Sequence, residues 1–518
     1  MFDAQVFEPP APAAMIVEQA APAHGTADLL VTSHQWHYRV TGNTLLPEAK
    51  IPAVLGQAAD PQAAVQALSA VYQQAGYLLV AVKAVSGGPQ TVWIQVVQGQ
   101  VTEAQAPAGV AGFFSGLQGR ADLRRDELLR RTVLAQAYTA RNGDALHANF
   151  APSSTPGGSD LEVQLTPRPD ARKVSGAFQL GNTGSRYASR YTTGLSLAVD
   201  PGRGLEFTGN FVTGLANWSA ASKGSQYKAG SLGLSAITPW GIYGVSYQKT
   251  TYRIGDVAAP LFPQGDVRAF VASGNQLLHV TDRSRLGVNE SVTHIANTQS
   301  VYGGTYQLAD QNYNFASLGL QYSASTVLAQ QTGQLSLGLT LNKGLTGLRG
   351  TLDIARDGAP SPRFRSMNYS LSWIQPLPKS ALLQLNLNGQ RAFDTLPSQQ
   401  QWVLGGLGSL SAYFPGVLVG DSGYSARLSL QTQPWAWKGW SVTPNAFVET
   451  GGAAYTYTPP GSPRWQSLTD LGFGLNWQSP KGTTLTAVIA RGIGNSHVSA
   501  STRDSNHAAF FFNLQQSF

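Results

Sequence analysis

Apolar and polar residues alternate along most of this chain. In QLSLGLTLN (334–342), Leu335, Leu337, Leu339 and Leu341 fall on one face. In LLQLNLN (382–388), Leu383, Leu385 and Leu387 share one face, with Gln384, Asn386 and Asn388 on the other. SARLSLQ (425–431) and LGFGLNW (471–477) repeat the pattern. A period of two marks a strand, because successive side chains point to opposite sides. From about residue 172, about sixteen such segments follow one another, separated by Gly, Asn, Asp, Pro and Ser. The second face carries Gln, Asn and Ser, which suits a hydrated lumen. So many alternating strands predict a closed, antiparallel transmembrane barrel, and sixteen is an allowed even number. The chain ends HAAFFFNLQQSF, with Ala508, Phe510, Phe512, Leu514 and Phe518 on one face. An alternating last strand with a terminal aromatic fits the closing edge of such a barrel.

Before residue 172 the period changes. WHYRVTG (36–42) alternates as a strand, and DPQAAVQALSAVYQQAGY (60–77) reads as a helix. Asp60 can cap it, Pro61 suits its first position, Val65, Leu68 and Tyr72 share a face, and Gly76 ends it. Strands follow in YLLVAVKAV and TVWIQVVQGQV, joined by the SGGPQ turn. A second unit repeats the architecture. LRRDELLRRTVLAQA (123–137) predicts a helix with Leu128, Leu129 and Val133 facing a core, and 144–168 predicts two strands around a Pro/Gly/Ser turn. The fold class is mainly β: a 16-stranded barrel over 169–518, preceded by α+β units at 31–105 and 106–168. Residues 1–30, rich in Ala and Pro, predict a flexible leader without signal-peptide character. Within it only AAMIVEQAA (13–21) is helix-friendly, too short for the ~30 Å hydrocarbon core at about 1.5 Å per residue.

Composition sharpens this picture. The chain is 42% hydrophobic but only 12% charged, against about 25% charged in soluble domains. It has no continuous apolar run of about 18 residues, so helical spans are not expected. With no cysteine among its 518 residues, a disulfide framework and a thiolate metal site are excluded. The net charge of +7 is scattered, so no nucleic-acid surface is expected. The eight histidines are dispersed, and no metal-protease, redox or nucleophile-elbow motif occurs. No enzyme, metal or cofactor is expected.

Two small α+β units ahead of a 16-strand barrel resemble the outer-membrane transporters of two-partner secretion, the haemolysin and adhesin secretion-activation family. AVYQQAGYLLVAVKAV with the closing VVQGQV resembles the first POTRA domain of that family, and the leucine-rich helix with Pro156-Gly157 and Ser159-Asp160-Leu161 resembles the second. The groove residues of the first would be Val65, Leu68, Tyr72, Gly76 and Tyr77. In the family a long loop folds back into the barrel with Val-Arg-Gly-Tyr/Phe at its tip. Here LGGLGSLSAYFPGVLVGDSGYSARLSL (404–430) fits that loop. Gly405, Gly406, Gly408 and Ser409 match the approach, and Gly420, Asp421, Gly423 and Tyr424 the exit into the next strand. The tip reads Leu410, Ser411, Ala412, Tyr413, so Ser411 replaces the arginine and Ala412 the glycine. A phosphate loop would need a helix after it, whereas this stretch continues as a strand.

The family's tip arginine pairs with an acid in a Phe-x-Asp-x-Gly motif on an inner strand. This chain has Phe447, Glu449 and Gly451 at those places. Without the arginine, Glu449 should face hydrated lumen or find another donor among Arg427, Arg391 and Arg491. The resemblance implies a transporter in the outer membrane of a Gram-negative bacterium, with POTRA domains in the periplasm. It implies a large secreted partner with a β-helical body, contact with outer-membrane lipid, and barrel-assembly machinery during biogenesis. The alternatives are a passive porin-like channel and a membrane-protein assembly factor.

Overall fold

The computed structural model describes residues 29–155, 157–350, 358–458, 461 and 463–518. The leader over 1–28, its stretch 13–21, and Pro156 lie outside the described residues. Sixteen antiparallel strands close into a barrel. The first, Val174–Gly181, pairs with Thr192–Gly202 on one side and with the last, Phe510–Ser517, on the other, Leu180 opposite Leu514. The short segment Trp435–Trp437 prolongs the twelfth strand, Ser422–Gln431, since both pair with Trp440–Ala454. One rim is joined by tight turns such as 203–204, 239–240 and 329–330. The other carries longer loops, among them 182–191, 393–421 and 497–509.

The apolar face of each strand points outward. Leu197, Phe211, Leu232, Phe270, Leu320 and Leu339 are all exposed. In water this would be an unstable surface; in a membrane it is the lipid contact. Inside, cross-strand amides and hydroxyls bond one another, as Ser317 Oγ to Asn342 Oδ1 at 2.8 Å and Ser372 Oγ to Asn386 Oδ1 at 2.9 Å. The end of the chain seals the barrel seam. Phe518 and Gly176 exchange backbone hydrogen bonds of 3.0 and 3.2 Å, and the Phe518 ring lies over the glycine. A Cβ at position 176 would sit 2.5 Å from Phe518 Cζ. Phe510 and Phe518 are exposed on the outer face, with Phe512 and Leu514 between them. Ala508 does not join that face: it precedes the strand and is buried against the inserted loop.

The first soluble unit is a four-stranded sheet ordered Leu29–Ser33, Trp36–Thr41, Thr91–Gln98, Val80–Gly88, with helices Lys50–Leu55 and Pro61–Gln74. The helix starts as its sequence dictates: Pro61 is in the first turn and Asp60 accepts from the Ala63 amide at 2.7 Å. Three features depart from the sequence reading. Leu29 and Leu30 belong to the first strand rather than to a leader. The buried helix face is Ala64, Leu68 and Tyr72, at the four-residue spacing, and Val65 is turned partly outward. Leu68 and Tyr72 are fully buried core residues, so they cannot line an open groove; only Val65, Gly76 and Tyr77 keep exposed surface.

The second unit is the sheet Gln100–Gln105, Gly158–Pro167, Asp144–Pro152, covered by the helix Arg125–Asn142. The domain boundary therefore falls at Gly99 rather than after residue 105. Gln100–Gln105 pairs in parallel with Gly158–Pro167, and Val101 is fully buried in the second core. The helix docks on the tight-turn rim of the barrel. Arg141 donates to Gly204 O at 2.8 Å and to Ser235 Oγ at 2.9 Å, and lies 3.3 Å from Glu206. At its other end Arg125 pairs with Asp282, and Asp126 lies 3.1 Å from His279 Nδ1. The barrel residues Ile237, Leu277 and Val280 continue the second unit's apolar core.

Candidate functional site

The stretch 404–430 is neither a phosphate loop nor a simple hairpin. Its stem is a two-stranded ribbon, Trp402–Leu404 against Leu418–Gly420. Between them the chain turns back on itself inside the barrel. Gly405 permits this: its φ is +108°, and a Cβ there would run into the Phe414 carbonyl. The Gly406 amide donates to Tyr413 O at 2.8 Å, closing the loop. Leu410, with φ at 71°, turns the next two amides toward the barrel wall. Leu410, Ser411, Ala412 and Tyr413 are all buried.

The tip is held by carboxylates. The Ser411 amide donates to Glu449 Oε2 at 2.6 Å, and the Ala412 amide donates to Asp470 Oδ2 at 2.8 Å. Glu449 stands opposite Asp470 on one neighbouring strand and opposite Arg427 on the other. Arg427 Nη1 donates to Glu449 Oε1. Its guanidinium also lies over the Phe447 ring, 3.8 Å from the centroid. Glu449 is 1% exposed, so its charge would be costly without such partners. The donor expected for Glu449 is thus Arg427. Arg391 and Arg491 are exposed on the outer face instead. The cation missing from the loop tip is supplied by the barrel wall.

A second contact fixes the tip to the last long loop. Ala508 donates to Ala412 O at 2.8 Å, and Phe414 donates to Asn506 O at 2.8 Å, with Tyr413 opposite His507 between them. The Tyr413 ring rests on Gly492, where a Cβ would collide with its hydroxyl. Phe414 packs edge-on to Phe511 at 6.2 Å, and Arg190 sits 5.1 Å over its ring. At the exit, Asp421 is fully buried. Its carboxylate accepts from the Leu396 amide at 3.1 Å, within the same loop, and from the Thr456 amide at 2.8 Å, tying that loop to its neighbour over 455–465. Gly420 lies against the Ala454 backbone, and Gly423 lies under Trp402. Gly451 carries Leu404 over it, while Tyr424 stacks on Trp465 at 5.8 Å, on the outward side. Beneath the loop the lumen retains a polar cavity of about 200 Å³, lined by Gln384, Asn386, Arg427, Ser429 and Asn445.

Phe447, Glu449 and Gly451 fall on one inward face, as their spacing requires. Asp470 lies outside the sequence motifs, which therefore missed it. A signal existed: it precedes Leu471 and Phe473, which alternate on the exposed side of the strand, so its own side chain faces in. His507, Asn506 and Arg190 carried no such signal, because they come from other loops.

A closed barrel with an outward apolar face, a loop in its lumen and soluble units at one rim defines an outer-membrane transporter architecture. The haemolysin secretion/activation protein family ShlB/FhaC/HecB matches residues 157–476. The chain belongs to that family, which comprises two-partner secretion transporters of the Gram-negative outer membrane and not enzymes. It is 26% identical over 355 residues to the heme/hemopexin transporter protein HuxB of Haemophilus influenzae strain Rd, covering 64% of this chain. The chain spans 59% of the length of the curated relatives it matches. Among solved structures, it resembles CdiB from Escherichia coli, with a TM-score of 0.76, 16% identity and coverage of 97% of this chain and 93% of the other. CdiB from Acinetobacter baumannii gives a TM-score of 0.70 at 16% identity, covering 97% and 91%.

Proposed function

We propose that this chain exports a large, unfolded partner protein across the outer membrane, through its own lumen and without nucleotide hydrolysis. The observation that carries this reading is the loop tip, which occupies the lumen through reversible polar contacts with Glu449, Asp470 and the 506–508 backbone. Such contacts can break and reform, and a permanent covalent plug is not needed. The two α+β units act as POTRA domains in the periplasm, on the tight-turn side. An extended partner adds to their free sheet edges by backbone hydrogen bonding, which tolerates varied sequence. It then enters the barrel as the tip withdraws, and folding outside the cell supplies the drive.

The test uses the chain's lack of cysteine. Tyr413 and His507 are a cross-strand pair flanked by hydrogen bonds. Such a pair has Cα atoms about 4.5 Å apart, which a disulfide can span. In cells expressing Y413C/H507C with a secreted protein that the wild-type chain displays at the surface, oxidation is expected to stop surface display and reductant to restore it. Y413C alone controls for loss of the tyrosine. Equal export in both redox states would show that the tip need not move. Steady, uniform channels in planar bilayers in both states would favour a passive channel.

A further inference from the structure

We propose that the outer wall of strands four to seven binds the phosphate groups of a phosphorylated glycolipid in the outer leaflet. The proposal rests on the long-loop rim facing out of the cell. The four strands are Gln226–Thr238, Gly241–Arg253, Gln264–Val280 and Ser284–Val301. Leu232, Tyr247, Phe270 and Val292 mark their lipid-facing sides, being 69%, 43%, 50% and 53% exposed. Strand alternation puts Lys228, Lys249, Arg253 and Arg268 on the same outward side, nearer the long loops. All four are exposed.

The register brings them together. Lys249 pairs with Arg268, Lys228 with Thr251, and Arg253 with Gln264. Asp266 fixes the lower pair, 2.7 Å from Arg268 Nε and 3.4 Å from Lys249 Nζ. Asp310, opposite Thr298 on the next strand, bounds the patch. Four cations thus face two carboxylates. Lys228, Arg253, Gln264, Asp266, Thr298 and Ser300 line a cleft of about 320 Å³ between them.

The placement selects the ligand. A positive cluster at the edge of a membrane belt attracts anionic headgroups. Lys249 and Arg268 lie one pair below Lys228, and Arg253 one pair above it, so the cations are spread along the strands at about 6.6–6.8 Å per two residues. That spread suits a headgroup with two phosphates better than one. The apolar row of Leu232, Tyr247 and Phe270 directly beneath would receive acyl chains. Inorganic phosphate would use only the cations, and a single-phosphate phospholipid only part of them.

The experiment is native mass spectrometry of the full-length protein in neutral detergent. The probes are a diphosphorylated, acylated glucosamine disaccharide, phosphatidylglycerol and inorganic phosphate. The wild type is expected to retain one copy of the diphosphorylated glycolipid. K228Q/K249Q/R253Q/R268Q should weaken it at least about tenfold, since several charge-assisted hydrogen bonds are lost. K379Q/K438Q/K481Q removes three cations from the opposite rim and should bind as wild type. Unchanged binding by the quadruple variant would overturn the proposal. So would equal retention of phosphatidylglycerol, or displacement by inorganic phosphate at matched concentration. Bilayer conductance of the quadruple variant separates this from the transport reading, because a barrel that conducts normally but has lost the glycolipid is still a folded transporter.

Discussion

Arg427 and Glu449 face each other across adjacent strands, and the same carboxylate takes the Ser411 amide from the inserted loop. One acid therefore serves the wall and the loop at once. Arg427→Ala would leave Glu449 buried without its cation, a loss of about 3–5 kcal/mol for a buried pair broken on one side. Glu449→Gln removes the charge along with its need for a partner, so it should be milder. The expected order, Glu449→Gln above Arg427→Ala, is read from the temperature at which the folded band disappears on seminative electrophoresis. The reverse order would mean that Arg427 does not balance Glu449.

The transposed cation allows a sharper experiment. If the arginine can stand on either side of the contact, Ser411→Arg should rescue a chain that has lost Arg427. Arg427→Ser alone is expected to open the loop and raise fluctuating conductance in planar bilayers. Adding Ser411→Arg should quiet it, with a coupling of about 1 kcal/mol or more in the double-mutant cycle. Ser411→Arg in the wild-type background would bury a second cation beside an acid already paired, so it should loosen the closed tip rather than quiet it. Additive effects would place the two positions in separate roles.

Asp470 can be tested through the amide it accepts. Asp470→Ala would strand the buried Ala412 N–H, at about 1–3 kcal/mol. The expected readout is more frequent opening in bilayers, with the barrel's thermal stability changed less than by Arg427→Ala. If openings keep their wild-type frequency, Asp470 does not hold the tip.

The strand texture made the barrel legible because one face of each strand meets lipid and the other meets a polar lumen. The same alternation could have ranked the three arginines. Leu428 and Leu430 point outward, so Arg427 points in, whereas Arg491 shares the side of the exposed Ile489 and Ile493. What alternation cannot supply is register across strands distant in sequence. That Arg427 meets Glu449, and Glu449 meets Asp470, depends on the stagger of a closed sheet. The docking of 506–508 on the tip is a loop-to-loop contact with no periodic signature. The misplaced boundary near residue 105 has a similar cause: Gln100–Gln105 follows the previous strand almost without a break but pairs with a segment more than fifty residues away.

At the rim, Arg141 is the most connected side chain between the second soluble unit and the barrel. Its side chain is only 15% exposed, and it reaches Gly204, Ser235 and Glu206. Arg141→Ala should loosen this docking by about 1.5–3 kcal/mol, the usual worth of hydrogen bonds to a charged group. Limited proteolysis of the full-length protein should then cut faster in the 168–173 connection, with barrel stability unchanged. Equal cutting would mean that the apolar contacts of Ile237, Leu277 and Val280 hold the unit without help.

Tyr72 makes the first unit sensitive to alkali. Its ring is buried, and its hydroxyl donates to Asn43 Oδ1 at 2.6 Å. Burial, with a smaller contribution from Tyr77, pushes the phenol up to about 12. The unfolded chain ionises near 10, so the folded unit keeps its proton where the unfolded one loses it. Its stability is then complete below pH 10, falls as pH rises from 10 toward 12, and levels off above that. The gap between the folded and unfolded phenol corresponds to about 3 kcal/mol of stability lost across the window. Calorimetry of the full-length protein should show the soluble-unit transition moving down over that range. Tyr72→Phe should start lower, having lost the Asn43 bond, and fall less steeply. A parallel slope in the variant would mean that another group carries the alkaline loss.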